Sequence, residues 1–108
     1  MTVIYPTVFT ALEEGGYMAY VPDLEINTQG EDLAEAIAMA RDAIGITSID
    51  REDDGKPLPR PSHTVSHQPG EIVSLVDVDL TAYRQSLKQK AAGMRQDVSV
   101  WRNQYGLY

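Results

Sequence analysis

The stretch TQGEDLAEAIAMARDAIG, residues 28–45, decides the fold. Asp32 and Glu35 stand three apart, the spacing at which two side chains satisfy the first free amide groups of a helix. This predicts a helix opening at Leu33. From there Leu33, Ala36, Ile37, Ala40, Ala43, Ile44 and Thr47 fall on one face at the 3.6-residue period, and that stripe has to pack on an apolar surface. Its alanines permit a close approach, and Asp53-Asp54-Gly55 supplies a glycine stop. Met39, Ile46 and Ile49 lie on the other side of the helix. The expected cover for them is the proline-rich loop 56–70, through Leu58 and Val65, with a partner's surface as the alternative.

The surface under the stripe is supplied by the flanking segments. Residues 2–12, TVIYPTVFTAL, are rich in β-branched and aromatic side chains. They are followed by the turn EEGG and by YMAYV at 17–21, which together predict a β-hairpin. Pro6 has no amide hydrogen, so the first strand is expected to be unpaired or bulged there. PDL at 22–24 reads as a turn and INTQ at 26–29 as a short third strand. EIVSLVDVDL at 71–80 is a fourth strand, and TAYRQSLKQKAAG at 81–93 a short basic helix with Thr81 as its cap. The preference for right-handed crossovers would lay the fourth strand parallel to the first. The expected class is α+β: a three-stranded antiparallel meander, a parallel fourth strand and one long helix on the sheet.

Composition bounds the function. The 108 residues suit one domain, and a chain that is 43% hydrophobic and 23% charged should fold. There is no cysteine, which removes disulfides and thiolate metal sites. Neither a signal peptide nor a run of about 20 apolar residues is present, so a cytoplasmic protein without a membrane segment is expected. The formal charge of −7 is unevenly divided. Residues 1–55 hold twelve acids against Arg41 and Arg51, whereas residues 56–108 hold seven bases against four acids. An acidic half repels nucleic acid and attracts basic proteins.

Candidates for chemistry are few. His63 and His67 have a metal-ligand spacing only if helical, and they sit in a loop of proline, serine and threonine, so no metal site is expected. A hairpin, third strand, helix and fourth strand resemble part of the ribonuclease H architecture, in which a nuclease needs acids converging on two metal ions. Residues 2–12 contain no acid to meet Asp77 and Asp79, which are expected to face solvent or cap the next helix. No serine lies in a nucleophile elbow and no glycines form a phosphate loop. The expectation is a non-enzyme without a cofactor. A metal-dependent nuclease using Asp77 and Asp79 is the contrasting alternative.

YPTVF, GGYMAYVPDL, TQGEDLAEAIAMARDAIG, DDGKPLPRPS and VSLVDVDLTAYRQSL, in this order, resemble the HicB antitoxin family of toxin–antitoxin systems over residues 4 to about 88. The resemblance implies a partial ribonuclease H fold without catalysis. Residues 1–80 would form a toxin-binding domain, and 81–108 a short helix with an incomplete C-terminal module. The implied partner is a small basic HicA-like ribonuclease that cleaves mRNA, masked by being covered. Glu13, Glu14, Asp23 and Glu25 are the acids expected to face it. A HicB-like domain that binds some other basic protein is the remaining alternative.

Many members of that family repress their own operon through a ribbon-helix-helix module. MRQDVSVWRN, residues 94–103, resembles its opening ribbon, giving Arg95, Gln96 and Ser99 as candidate contacts to operator DNA. Asp97 fits that role badly. Eight residues after Val100 make about 12 Å of helix at 1.5 Å each, short of the two helices required. The aromatic segment with Trp101, Tyr105 and Tyr108 is expected to make a dimer contact or to be disordered, and the chain to form a homodimer or higher oligomer.

Overall fold

A computed structural model describes residues 1–94. Strands β1 (Thr2–Ala11), β2 (Tyr17–Val21), β3 (Ile26–Gly30) and β4 (Ile72–Asp79) form one sheet in the order β3-β2-β1-β4. Helix α1 (Leu33–Asp53) packs on one face, and α2 (Leu80–Met94) follows β4. The meander is the predicted one. A single 3₁₀ turn at Pro22–Leu24 joins β2 to β3.

All three pairings are antiparallel, including β1 with β4. The expected parallel fourth strand is therefore corrected. α1 runs about 31 Å at 1.5 Å per residue and returns the chain to the end of the sheet where β1 begins. A parallel strand would have to start there. The connection 54–71 instead carries the chain back along the sheet, and β4 enters at the hairpin end, with Ile72 opposite Phe9 and Asp79 opposite Thr2. The crossover preference sets the hand of a connection between parallel strands and does not itself make two strands parallel.

The connection is held along its course. The Tyr5 hydroxyl donates to the Pro59 carbonyl at 2.7 Å. The Asp23 carboxylate accepts both the Ser62 amide at 2.9 Å and the Ser62 hydroxyl. Burial and the nearby Asp23 charge push the Tyr5 phenol above its ordinary pKa. Residues 62–67 then cross the outer face of the sheet, bounding a cleft of about 260 Å³ with Pro6, Val73 and Leu75. At the far end the Glu71 carboxylate accepts the Gln68 amide at 2.6 Å and the Thr10 hydroxyl, contacts that hold it below its usual pKa.

Alternation along the strands sends Val3, Tyr5 and Phe9 of β1, Ala19 and Val21 of β2, and Val76 and Val78 of β4 toward α1. Ala36, Ala40 and Ile44 meet them, with Leu33 and Ile37 packed at the margin. Each large apolar side chain buried here stabilises the fold by about 1.5–3 kcal/mol. The helix comes so close that a Cβ on Gly30 would stand 2.4 Å from the Ala36 nitrogen. The predicted cap is present: Asp32 Oδ1 accepts the Glu35 amide at 2.7 Å and Glu35 Oε1 accepts the Glu31 amide at 2.9 Å.

The expected cover of the outer side of α1 is only partly realised. Ile49 is buried in the core against which Leu58 packs, whereas Met39 and Ile46 remain 41% and 47% exposed. Val65 does not reach them, because the loop has by then passed to the opposite face of the sheet. Gly45 and Ser48 are buried as well, and the Tyr83 ring of α2 lies over Gly45. The cap of α2 is Asp79 rather than Thr81. Its Oδ1 accepts the amides of Thr81 and Ala82, while the Thr81 hydroxyl accepts from the N-terminal amine.

Pro6 is accommodated by the phase of the ladder. The Leu80 amide donates to the Met1 carbonyl at 2.8 Å, so odd residues of β1 exchange hydrogen bonds with even residues of β4. The Pro6 nitrogen points to the other side, where β2 has already ended, because the β1–β2 register begins at Val8. It forfeits no ladder bond.

Candidate functional site

The four acids expected to face a partner do not form one patch. Glu13 and Glu14 lie in the β1–β2 turn, whereas Asp23 and Glu25 lie in and just after the 3₁₀ turn at the opposite end of β2. That separation is about 17 Å for a five-residue strand. Asp23 also spends both carboxylate oxygens on Ser62.

Folding gathers other acids around Glu13 and Glu14. The start of α1 brings up Glu31, Asp32 and Glu35, and a cleft of about 230 Å³ between turn and helix is bounded by Glu14, Glu31 and Glu35. All five are exposed. Among the described residues, none of them has a lysine or arginine within salt-bridge distance. The acids at the C-terminal end of α1 differ: Arg84 reaches Glu52 at 3.2 Å and Asp53 at 2.9 Å, and Lys56 reaches Asp54 at 4.0 Å. Among the described residues, the hairpin end is thus a cluster of acids without a basic partner. Glu31, Asp32 and Glu35 escaped the sequence reading of this surface because the capping motif accounted for two of them and only the fold places them beside the hairpin.

Asp77 and Asp79 stand on one face of β4, as alternation predicts, and each has a structural partner. Arg41 reaches from α1, its Nη2 3.3 Å from Asp77 Oδ1 and its Nε donating to the Asp77 carbonyl at 3.2 Å. Asp79 caps α2. Tyr83 and Lys90 join these residues in lining a groove of about 550 Å³ between the helices. The Tyr83 hydroxyl donates to Asp42 Oδ1 at 2.7 Å, and burial with this hydrogen bond pushes its phenol well above the usual value.

His63 and His67 lie in the connection over the outer sheet face, where the His67 ring is 3.2 Å from the Val65 carbonyl. Among the described residues, no three histidines, cysteines, aspartates or glutamates are grouped to hold a metal ion. No described helix is long and apolar enough to cross a membrane. Arg95, Gln96 and Ser99, and the aromatics Trp101, Tyr105 and Tyr108, lie outside the described residues.

No family model matches the chain. Over 65 residues it is 43% identical to antitoxin HicB of Escherichia coli K12, a match covering 58% of this chain and 46% of that protein. The chain is related to the HicB antitoxins. A second relative, antitoxin HicB 1 of Photorhabdus laumondii, is 46% identical over 61 residues, covering 53% of this chain and 39% of its own length. The match thus spans less than half of each HicB relative. Among solved structures, a chain of a toxin–antitoxin complex from Streptococcus pneumoniae superposes with a TM-score of 0.66 at 29% identity, covering 77% of this chain and 73% of that one. A chain of the HicA3 and HicB3 toxin–antitoxin complex gives 0.51 at 23% identity, over 71% of this chain and 99% of that one, a likeness of fold alone.

Proposed function

We propose that this chain is an antitoxin that binds a small basic HicA-like ribonuclease and neutralises it by covering its RNA-binding surface, with no catalysis of its own. The relationship to HicB antitoxins carries this reading. The physical support is the uncompensated acid group at the hairpin end. A protein that binds RNA presents cations to phosphate, and carboxylates from Glu13, Glu14 and Glu31 can meet the same cations. Asp77 and Asp79, tied to Arg41 and to the start of α2, act as structural acids in this reading.

The decisive experiment is co-expression with the product of the adjacent reading frame. Growth arrest caused by that product alone should be relieved by this chain, and the two should co-purify as a complex unable to cleave mRNA. Persistent arrest with no complex would defeat the reading. Cleavage of RNA by this chain alone, lost in Asp77→Asn, would replace it with the nuclease alternative.

A further inference from the structure

The sheet has two edges, and they differ. In β4 the ladder phase turns the amide and carbonyl groups of Ile72, Ser74, Val76 and Val78 toward β1, and those of Val73, Leu75 and Asp77 outward. Arg41 stops this edge at Asp77 by donating to its carbonyl. Val73 and Leu75 have no ladder partner on this side: among the described residues, no backbone group from outside the sheet pairs with them, the Leu75 carbonyl meets only the Ser74 hydroxyl at 3.4 Å, and residues 62–67 lie across the outer face beside them. Their side chains are 39% and 62% exposed on the outer face. Open edges are usually protected by lysine, proline or a bulge. None interrupts the run Ile72-Val73-Ser74-Leu75-Val76. The β3 edge is short and turns Asn27 and Gln29 outward.

We propose that the open stretch of β4 at Val73–Leu75 is a strand-addition site that takes an edge strand of the basic ribonuclease, extending this sheet into the partner. The proposal rests on the antitoxin reading and specifies how the partner is held. Charge selects the occupant. An antiparallel second copy of β4 brings both its Val73 and its Leu75 to the open stretch only in the register centred on Ser74. This sets Glu71 of each copy against Asp77 of the other, and like charges directly opposite destabilise a pair. A strand with an apolar centre and basic ends meets Glu71 and the apolar pair together. Main-chain hydrogen bonds at Val73 and Leu75 would give affinity, and the exposed Leu75 side chain would be covered by a cross-strand neighbour.

The test uses the full chain and the basic product of the adjacent reading frame. Amide hydrogen exchange is followed with and without that protein, and the Val73 and Leu75 amides are expected to slow by about 100-fold in the complex, while Asn27 and Gln29 on the other edge do not. Leu75→Pro removes an outward amide at a position where an edge strand tolerates proline, and should weaken the complex by about 100-fold. Gln29→Pro, the same change on the opposite edge, should leave affinity unaltered. A complex whose Val73 and Leu75 amides exchange as in the free chain overturns strand addition while leaving the antitoxin reading intact, and the exchange result decides alone if Leu75→Pro does not fold. If no complex forms with the unaltered chain, the antitoxin reading fails first and the site falls with it.

Discussion

The ring of Tyr83 occupies the space in which a side chain on Gly45 would begin: a Cβ built there stands 2.9 Å from two ring carbons. This contact, with the Tyr83–Asp42 hydrogen bond and the bridges from Arg84 to Glu52 and Asp53, docks α2 on α1. The bridges are partly exposed and contribute less than the ring contact.

Gly45→Ala should therefore destabilise the fold by about 1–3 kcal/mol through overpacking against the ring. Gly30→Ala should cost more, because its Cβ would meet backbone atoms of Glu35 and Ala36 at 2.4–2.8 Å, and backbone cannot swing aside as a ring can. Thermal unfolding of both variants checks the order. Equal melting temperatures would contradict it.

The phenol of Tyr83 also predicts behaviour in alkali. Its folded pKa is raised by burial and by the Asp42 hydrogen bond. Stability from this group is fully present below the ordinary value of 10.0 and is lost as pH rises from there toward the folded value. Tyr83→Phe should be less stable than the parent at neutral pH and lose less stability between about pH 10 and 11. Denaturant titrations at several pH values would show the two curves converging.

At the acid end, Glu71 has the opposite sign. Its carboxyl is held low by the Gln68 amide and the Thr10 hydroxyl, so its contribution is present above the usual carboxylate range and lost as pH falls through the lowered folded value. Glu71→Gln should flatten the acid limb and make the connection before β4 easier to cleave at neutral pH. Limited proteolysis of residues 62–70 reports the second effect.

Ser48 offers a test in the stabilising direction. Its hydroxyl is fully buried on α1 and has no hydrogen-bond partner among the described residues. An unpaired buried hydroxyl costs about 1–3 kcal/mol, and alanine is the better helix former. Ser48→Ala should raise the melting temperature, and a fall would mean that the hydroxyl has an unrecognised partner.

Binding of the basic ribonuclease should depend on salt through the hairpin-end acids. Raising ionic strength from about 0.05 to 0.5 M shortens the screening length severalfold, and the association rate should drop by about tenfold or more. Glu13→Gln combined with Glu14→Gln and Glu31→Gln should reduce that slope. An association rate indifferent to salt would remove the acids from recognition.

Local chemistry made much of the architecture legible from residues alone. Asp32 and Glu35 announce the helix through hydrogen bonds three residues apart, the EEGG turn announces the hairpin, and the imbalance of twelve acids over two bases in residues 1–55 is a property of composition. Each of these depends on neighbours in the chain. The direction of β4, the passage of Val65 to the far face of the sheet, the reach of Arg41 to Asp77 and the union of Glu31 with the hairpin acids depend on contacts between distant segments. A periodic pattern fixes which side of a strand is apolar, but it is the same whichever way the strand runs. The long connection from Asp54 to Glu71 could have entered the sheet at either end, and tertiary packing, through Tyr5 on Pro59, Asp23 on Ser62 and Glu71 on Thr10, selected the end.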